Sequence, residues 1–285
     1  MGAGPLRLIG DRAISDELHA QGWELQVETI ETPDPGDPEI VRVVEADRRL
    51  ARRVRAADED RAFPLVLAGN CNSCLGTVAG LGRGSGPLGV VWFDAHADFD
   101  TPERSLGFFD GMGLAILTGN GWELLRGTIP GFKPVNERDV VVVGVRDLEE
   151  HQRRPLEAST LRVLPGGSFA STEFVRALDE LRLRVSRIYL HVDLDVLDPS
   201  EGRANRFAAD GGLSTRQLER AIELVFERSG VAAAAITAYD PGLDEDGRMA
   251  RAASQVIGTV GRAALRQRAD RLRAMRQAPP SAPSR

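Results

Sequence analysis

Two apolar runs in this chain each end in alternating carboxylates. Val90, Val91, Trp92 and Phe93 lead straight into Asp94-Ala95-His96-Ala97-Asp98, and Ile188, Tyr189 and Leu190 lead into His191-Val192-Asp193-Leu194-Asp195. Short, wholly apolar runs predict strands buried on both faces, which sets both acidic segments at the rim of one sheet. Carboxylates crowded there repel one another and are costly to desolvate. Divalent cations relieve both problems at once.

Further strand signals fall at residues 6–10, 24–34 (closed by Pro33 and Pro35), 63–67, 139–145, 160–164 and 231–239. Helical spacing marks 38–57, through Ile40, Val43, Val44, Leu50 and Val54, and recurs at 73–81, 171–183, 214–228 and 246–274. Gly82 to Pro87 reads as a turn. Ser214 with Gln217 forms a capping box behind the Gly211-Gly212 loop. Buried strands alternating with amphipathic helices predict an α/β fold, a three-layer α/β/α sandwich with a mostly parallel sheet. With no repeat or linker in view, residues 1–277 are expected to form one domain, and 278–285, rich in Pro and Ser, a disordered tail. Cys71, Asp94, Asp193 and Asp240 all fall at carboxyl ends of strands in this reading, where open α/β sheets collect their ligands.

Composition narrows the function. A net charge of −6 argues against a nucleic-acid surface, since phosphate binding calls for a basic stripe. No apolar run approaches the ~18–20 residues of a membrane span. The first residues lack a charged head followed by an apolar signal core. The two cysteines, Cys71 and Cys74, stand too close together to staple distant parts of the fold, so a cytoplasmic enzyme is the expectation.

Oxygen and imidazole donors suit Mn²⁺, Mg²⁺, Fe²⁺ or Zn²⁺, and the carboxylate excess favours Mn²⁺. Asp94, Asp98, Asp193 and Asp195 with His96 are too many ligands for one tetrahedral ion. Two ions sharing carboxylates, spaced ~3.5–4 Å, fit the count better. Cys71 of the Cys71-Asn72-Ser73-Cys74 segment is expected as a thiolate ligand and Cys74 as an inward-packing helix residue; the alternative is that both are buried and inert. His191 is placed behind the ligands, and His19 and His151 in solvent.

These segments resemble the arginase–agmatinase (ureohydrolase) family over about residues 6–270. Two family signatures are matched, by Asp-Ala-His-Ala-Asp-Phe-Asp-Thr-Pro (94–102) and by Asp-Leu-Asp-Val-Leu-Asp-Pro (193–199). A third, Gly-Gly-Asp-His-Ser, falls on Ala68-Gly69-Asn70-Cys71-Asn72, so the family's histidine ligand is replaced by Cys71. The resemblance implies one metal on Cys71, Asp94, Asp98 and Asp193, and a second on His96, Asp94, Asp193 and Asp195. It also implies manganese as the usual metal, two ions per chain, and attack of metal hydroxide on a guanidinium carbon. Fe²⁺ and Zn²⁺ are the other metals allowed. Members of the family often form homo-oligomers.

The same alignment locates the departures. The family's proton-shuttle histidine falls near Asp110, which with Asp98 is the candidate catalytic group. The guanidinium-gripping glutamate falls at Ala238, beside Tyr239 and Asp240. Residues that hold an α-carboxylate fall on Asp100, Leu106 and Phe108, and an amino-binding aspartate on Glu149. Asp100, Glu149, Tyr239 and Asp240 are therefore the expected substrate contacts. The chain is read as a binuclear hydrolase of a guanidino, N-hydroxyguanidino or amidino C–N bond, acting on a small molecule. The competing readings are a degenerate, ligand-binding member of the family and, last, a zinc deacetylase-type hydrolase.

Overall fold

The sheet is built from strands that need no edge to water. In the computed structural model, residues 4–31, 34, 36–82, 84, 86–104, 108–166 and 171–277 are described. Their strands are β1 (Leu65–Leu67), β2 (Leu88–Phe93), β3 (Val140–Val145), β4 (Arg162–Pro165), β5 (Arg187–Asp193) and β6 (Val231–Thr237). They pair in the order β1-β6-β5-β2-β3-β4, and every pairing is parallel. β2, β3 and β5 are the central, apolar strands, because parallel neighbours and covering helices leave no face for polar side chains.

Side chains alternate between two cores. Val91, Phe93, Val141, Val143, Leu190 and Val192 pack under α8 (Ser171–Leu181), α9 (Thr215–Arg228) and α10 (Arg248–Gln277), with α1 (Gly4–Ile9) and α2 (Arg12–Ala20) on the same side. Val90, Trp92, Val142, Tyr189, Ala233 and Ala235 pack under α3 (Glu39–Glu59), α4 (Ser73–Leu81) and α5 (Gly113–Leu117). The result is the three-layer α/β/α sandwich with a parallel sheet. The capping box forms as expected, Ser214 Oγ accepting from Gln217 N–H.

Topology puts a crevice at the sheet's centre. β2 sends its connection toward β3, whereas its neighbour β5 sends its own toward β6, so the chain diverges at their carboxyl ends. Such a switch point leaves a cleft that no crossover covers. Gly144 deepens it. Its φ of +105° suits glycine, and a Cβ there would stand 2.8 Å from the Asp94 carbonyl oxygen and 2.6 Å from Val196 Cγ2.

Two strand expectations fail. Residues 6–9 belong to α1, which buries Leu8 in the core beside α10; so short a largely apolar run satisfies a helix turn as readily as a strand. Residues 24–31 form no strand, and Val27 stays exposed. Trp23 anchors that segment by donating to the Gly261 carbonyl on α10. Thr32, Pro33, Pro35, Arg83, Ser85, Leu106 and the 278–285 tail lie outside the described residues. The sequence also hid α6 (Glu123–Arg126) and α7 (Glu150–Ala158), the latter because Leu156 is its one buried side chain. No helix among the described residues is long and apolar enough to cross a membrane.

The α3–α4 contact carries a buried acid. Asp47 accepts the Gly76 N–H through Oδ1, while its Oδ2 has no hydrogen-bond partner. Burial pushes its carboxyl well above the usual range, against the lowering bond from Gly76. A carboxyl raised on folding stabilises most when protonated, and that contribution drains away as pH rises from about 4 through the folded value. Asp47→Asn keeps an acceptor for Gly76 and cannot ionise. The variant is expected to be more stable than the parent at pH 8 in urea melts and to lose that advantage by pH 4.

Candidate metal centre

The candidate ligands follow strand ends and are held by neighbouring hydrogen bonds. At the end of β2, Asp94 N–H continues the ladder to the Val143 carbonyl, and the Asp94 carboxylate accepts from Trp92 Nε1–H at 2.9 Å and from His96 N–H at 2.7 Å. At the end of β5, Asp193 caps the following turn by accepting Asp195 N–H at 2.8 Å. Asp195 in turn accepts from Ala95 N–H at 3.2 Å and from Asn205 Nδ2 at 3.0 Å. The loop carrying Asp195 is fastened by Arg146, whose guanidinium donates to the carbonyls of Asp195, Val196, Leu197 and Ala209.

Cys71 lies in the turn that opens α4. Its sulfur is 2.9 Å from Asp193 Oδ2 and 3.3 Å from Thr237 Oγ1, and its N–H donates to Asp110 Oδ1 at 2.8 Å. Two sets of ligand atoms emerge, each gathered within 4.8 Å: Cys71, Asp94 and Asp193, and Asp94, His96 and Asp195. Asp94 belongs to both.

Electrostatics show how poorly this cluster is neutralised by the protein. Burial pushes the Cys71 thiol well up, and the charges of Asp193, Asp98, Asp110 and Asp94 push it further. Burial and Asp195 raise Asp94 to about 6, and burial with Asp195 and Asp94 raises Asp193 well above its ordinary value. His96 is the one cation drawn in. Burial lowers it, but its bonds to Asp195 and Asp94 outweigh that and raise it to about 12. Asp195 is held down at about 2 by His96 and Asn205, against burial. The Arg146 guanidinium is spent on main-chain carbonyls. A thiol, an imidazole and three buried carboxylates converging without a matching positive charge are the donor set of a divalent-cation site, so the residues fit the metals the sequence implies.

Asp98 sits beside these groups with a left-handed φ of +47°, and burial plus the charges of Asp94 and Asp110 raise it well above the normal range. It is outside both 4.8 Å sets. Asp110 is buried, and burial lifts it to about 7 against the lowering bond from Cys71 N–H, with Asp94 and Asp195 adding to the rise.

Of the expected substrate contacts, two stay together and two do not. Asp100 Oδ2 accepts from Gln152 Nε2 at 2.8 Å, and its Oδ1 lies 3.7 Å from His151 Nε2. His151 Nδ1 is 3.2 Å from Glu149. His151, exposed as expected, thus links the two acids. Tyr239, by contrast, is buried in the core under α10 and donates to Asp244 Oδ2, because Ala238, at φ +63°, turns the chain away from the cluster. Asp240 caps its own turn by accepting Gly242 N–H. The sequence reading missed Trp92, Tyr189, Thr237 and Asn205. Trp92, two residues before Asp94, and Thr237, in register with Asp193, were open to recognition by strand period alone.

Phe207 lies edge-on to His96, with ring centroids 6.3 Å apart, and meets Phe108 at 5.2 Å, so an aromatic wall borders the His96 group.

Comparison with known proteins agrees with this geometry. A family profile described as the arginase family matches residues 3–261. An arginase from Bacillus caldovelox is 32% identical over 260 residues, covering 88% of this chain and 83% of that protein. An arginase from Bacillus subtilis (strain 168) is 31% identical over 225 residues, covering 76% and 75%. The crystal structure of arginase from Bacillus subtilis superposes with a TM-score of 0.82 at 27% identity, covering 90% of this chain and 91% of that one. Formimidoylglutamase from the same species shares the fold, with a TM-score of 0.71 at 19% identity over 88% of this chain and 79% of that one.

Proposed function

Because this chain belongs to the arginase family, hydrolases of C–N bonds in linear amidines, we propose that it cleaves a guanidino, N-hydroxyguanidino or amidino substrate at a pair of divalent cations. The observation that carries the pairing is Asp94, common to two ligand sets that each close within 4.8 Å. Cys71, Asp94 and Asp193 would hold one cation and Asp94, His96 and Asp195 the other, with Asp98 alongside. When bound, such cations supply Lewis acidity and an activated water at neutral pH. Manganese suits the oxygen and imidazole group, whereas the soft Cys71 sulfur widens its own group to iron or zinc.

The chain's own residues then divide the remaining work. Asp110, tied to the Cys71 main chain, would be the carboxyl that protonates the departing amine. Asp100 and Glu149 present acid to the far end of the substrate. They repel a free α-carboxylate and accept an uncharged or cationic tail. Ala238 offers no carboxylate to a guanidinium, which favours a less basic amidine or N-hydroxyguanidine over arginine itself.

A panel assay tests the reading. Urea, hydroxyurea or ammonia release is measured over arginine, N-hydroxyarginine, agmatine, guanidinobutyrate and formiminoglutamate, with metal content recorded. Turnover is expected on at least one substrate, with arginine a weak one. Silence across the panel with two cations bound would overturn the proposal.

A further inference from the structure

A buried file of side chains runs behind the Cys71 sulfur. Tyr189 Oη lies 2.8 Å from His191 Nδ1, His191 Nε2 lies 3.3 Å from Thr237 Oγ1, and Thr237 Oγ1 lies 3.3 Å from Cys71 Sγ. Tyr189, His191 and Thr237 are wholly excluded from solvent. The imidazole is also stacked flat on Trp92, centroids 3.6 Å apart and planes within 9°, and that same indole donates to Asp94. Strand register sets the contacts: Trp92 pairs with His191 across β2 and β5, and Asp193 with Thr237 across β5 and β6. One ring therefore abuts the supports of two ligands, Cys71 and Asp94.

Donor and acceptor counting fixes the direction of the file. A thiolate at Cys71 only accepts, so Thr237 must turn its hydroxyl hydrogen toward the sulfur. Thr237 Oγ1 must then accept from His191 Nε2–H, and Nδ1, left bare, must accept from Tyr189 O–H. Each step has one solution for a neutral imidazole. The competing acceptor for Thr237, the Val192 carbonyl, is farther away at 3.4 Å.

We propose that His191 is a positioning residue which, through Thr237, orients and hydrogen-bonds the Cys71 sulfur as a metal ligand. The inference rests on the assignment of Cys71 made under the proposed function. Sulfur has weak directional preference of its own, and Asp193 alone approaches it from one side; the Thr237 hydroxyl supplies the second constraint. Groups that orient a metal ligand in this way are typically worth about 10–100-fold in metal affinity.

The test uses the full chain loaded with Co²⁺, whose thiolate charge-transfer band in the near ultraviolet reports sulfur ligation directly. Thr237→Val, close in shape, is expected to displace the band and weaken the sulfur-side ion about 10–100-fold by competition titration. Thr237→Ser is expected to restore both. Tyr189→Phe, which frees Nδ1, is expected to move the band in the same direction as Thr237→Val. A Thr237→Val protein with the parent's band and affinity would overturn the inference while leaving Cys71 a ligand. A parent spectrum with no band that Cys71→Ser removes would overturn the Cys71 assignment and this inference together.

Discussion

Replacing Asp94 with asparagine is expected to abolish turnover, by on the order of 10³-fold or more, and to lower the occupancy of both cations together. The size of the effect follows from sharing. Asp94 is common to the Cys71–Asp193 set and to the His96–Asp195 set, and among the described residues it alone falls in both. Its surroundings make asparagine a poor substitute, since Trp92 Nε1–H and His96 N–H both donate to it. An amide can accept from one and must point its NH₂ at the other. The metal-free protein responds differently. Burial and the Asp195 charge destabilise the native carboxylate, and the facing NH₂ and N–H groups destabilise the variant, so Asp94→Asn without metal is expected to melt close to the parent. Loss of activity with a retained melting temperature separates this role from a structural one; parallel loss of both would contradict it.

The second large effect is expected at Cys71. Cys71→Ala removes one donor from one set and leaves the His96 set whole, so the bound metal should fall from two ions toward one per chain. Turnover should drop at least about 10²-fold, the upper range for disturbing a ligand's support being a lower bound for losing the ligand. Packing changes little, because the side chain lost is small. Metal analysis after dialysis reads the difference, and an unchanged ratio would remove sulfur from the site.

Much of this site was legible in the sequence because strand period and charge pull the same way there. Asp94 follows a wholly apolar strand and Asp193 ends a largely apolar one, and the parallel order that sets β2 beside β5 at the divergence of the chain brings them together. That Cys71 joins these carboxylates was equally visible. After β6, polarity and period disagree. Tyr239 and Asp240 look like site residues, yet the left-handed backbone at Ala238 swings Tyr239 into the opposite core, and Thr237 is the side chain that reaches Cys71. α1 was lost because so short a run, with Leu6, Leu8 and Ile9, fits either period. Residues 24–31 have alternating polarity but no neighbouring strand to receive them. α7 escaped notice because it buries only Leu156, although its Gln152 reaches back to Asp100.

The central claim is that one rim of the sheet holds two cations bridged by Asp94, one of them touching sulfur. An anomalous-scattering map of crystals reconstituted with Mn²⁺ and then with Zn²⁺ tests it most directly. Two peaks flanking the Asp94 carboxylate, one adjoining Cys71 Sγ and the other His96, are predicted. A single peak remote from Cys71, or none, would contradict it.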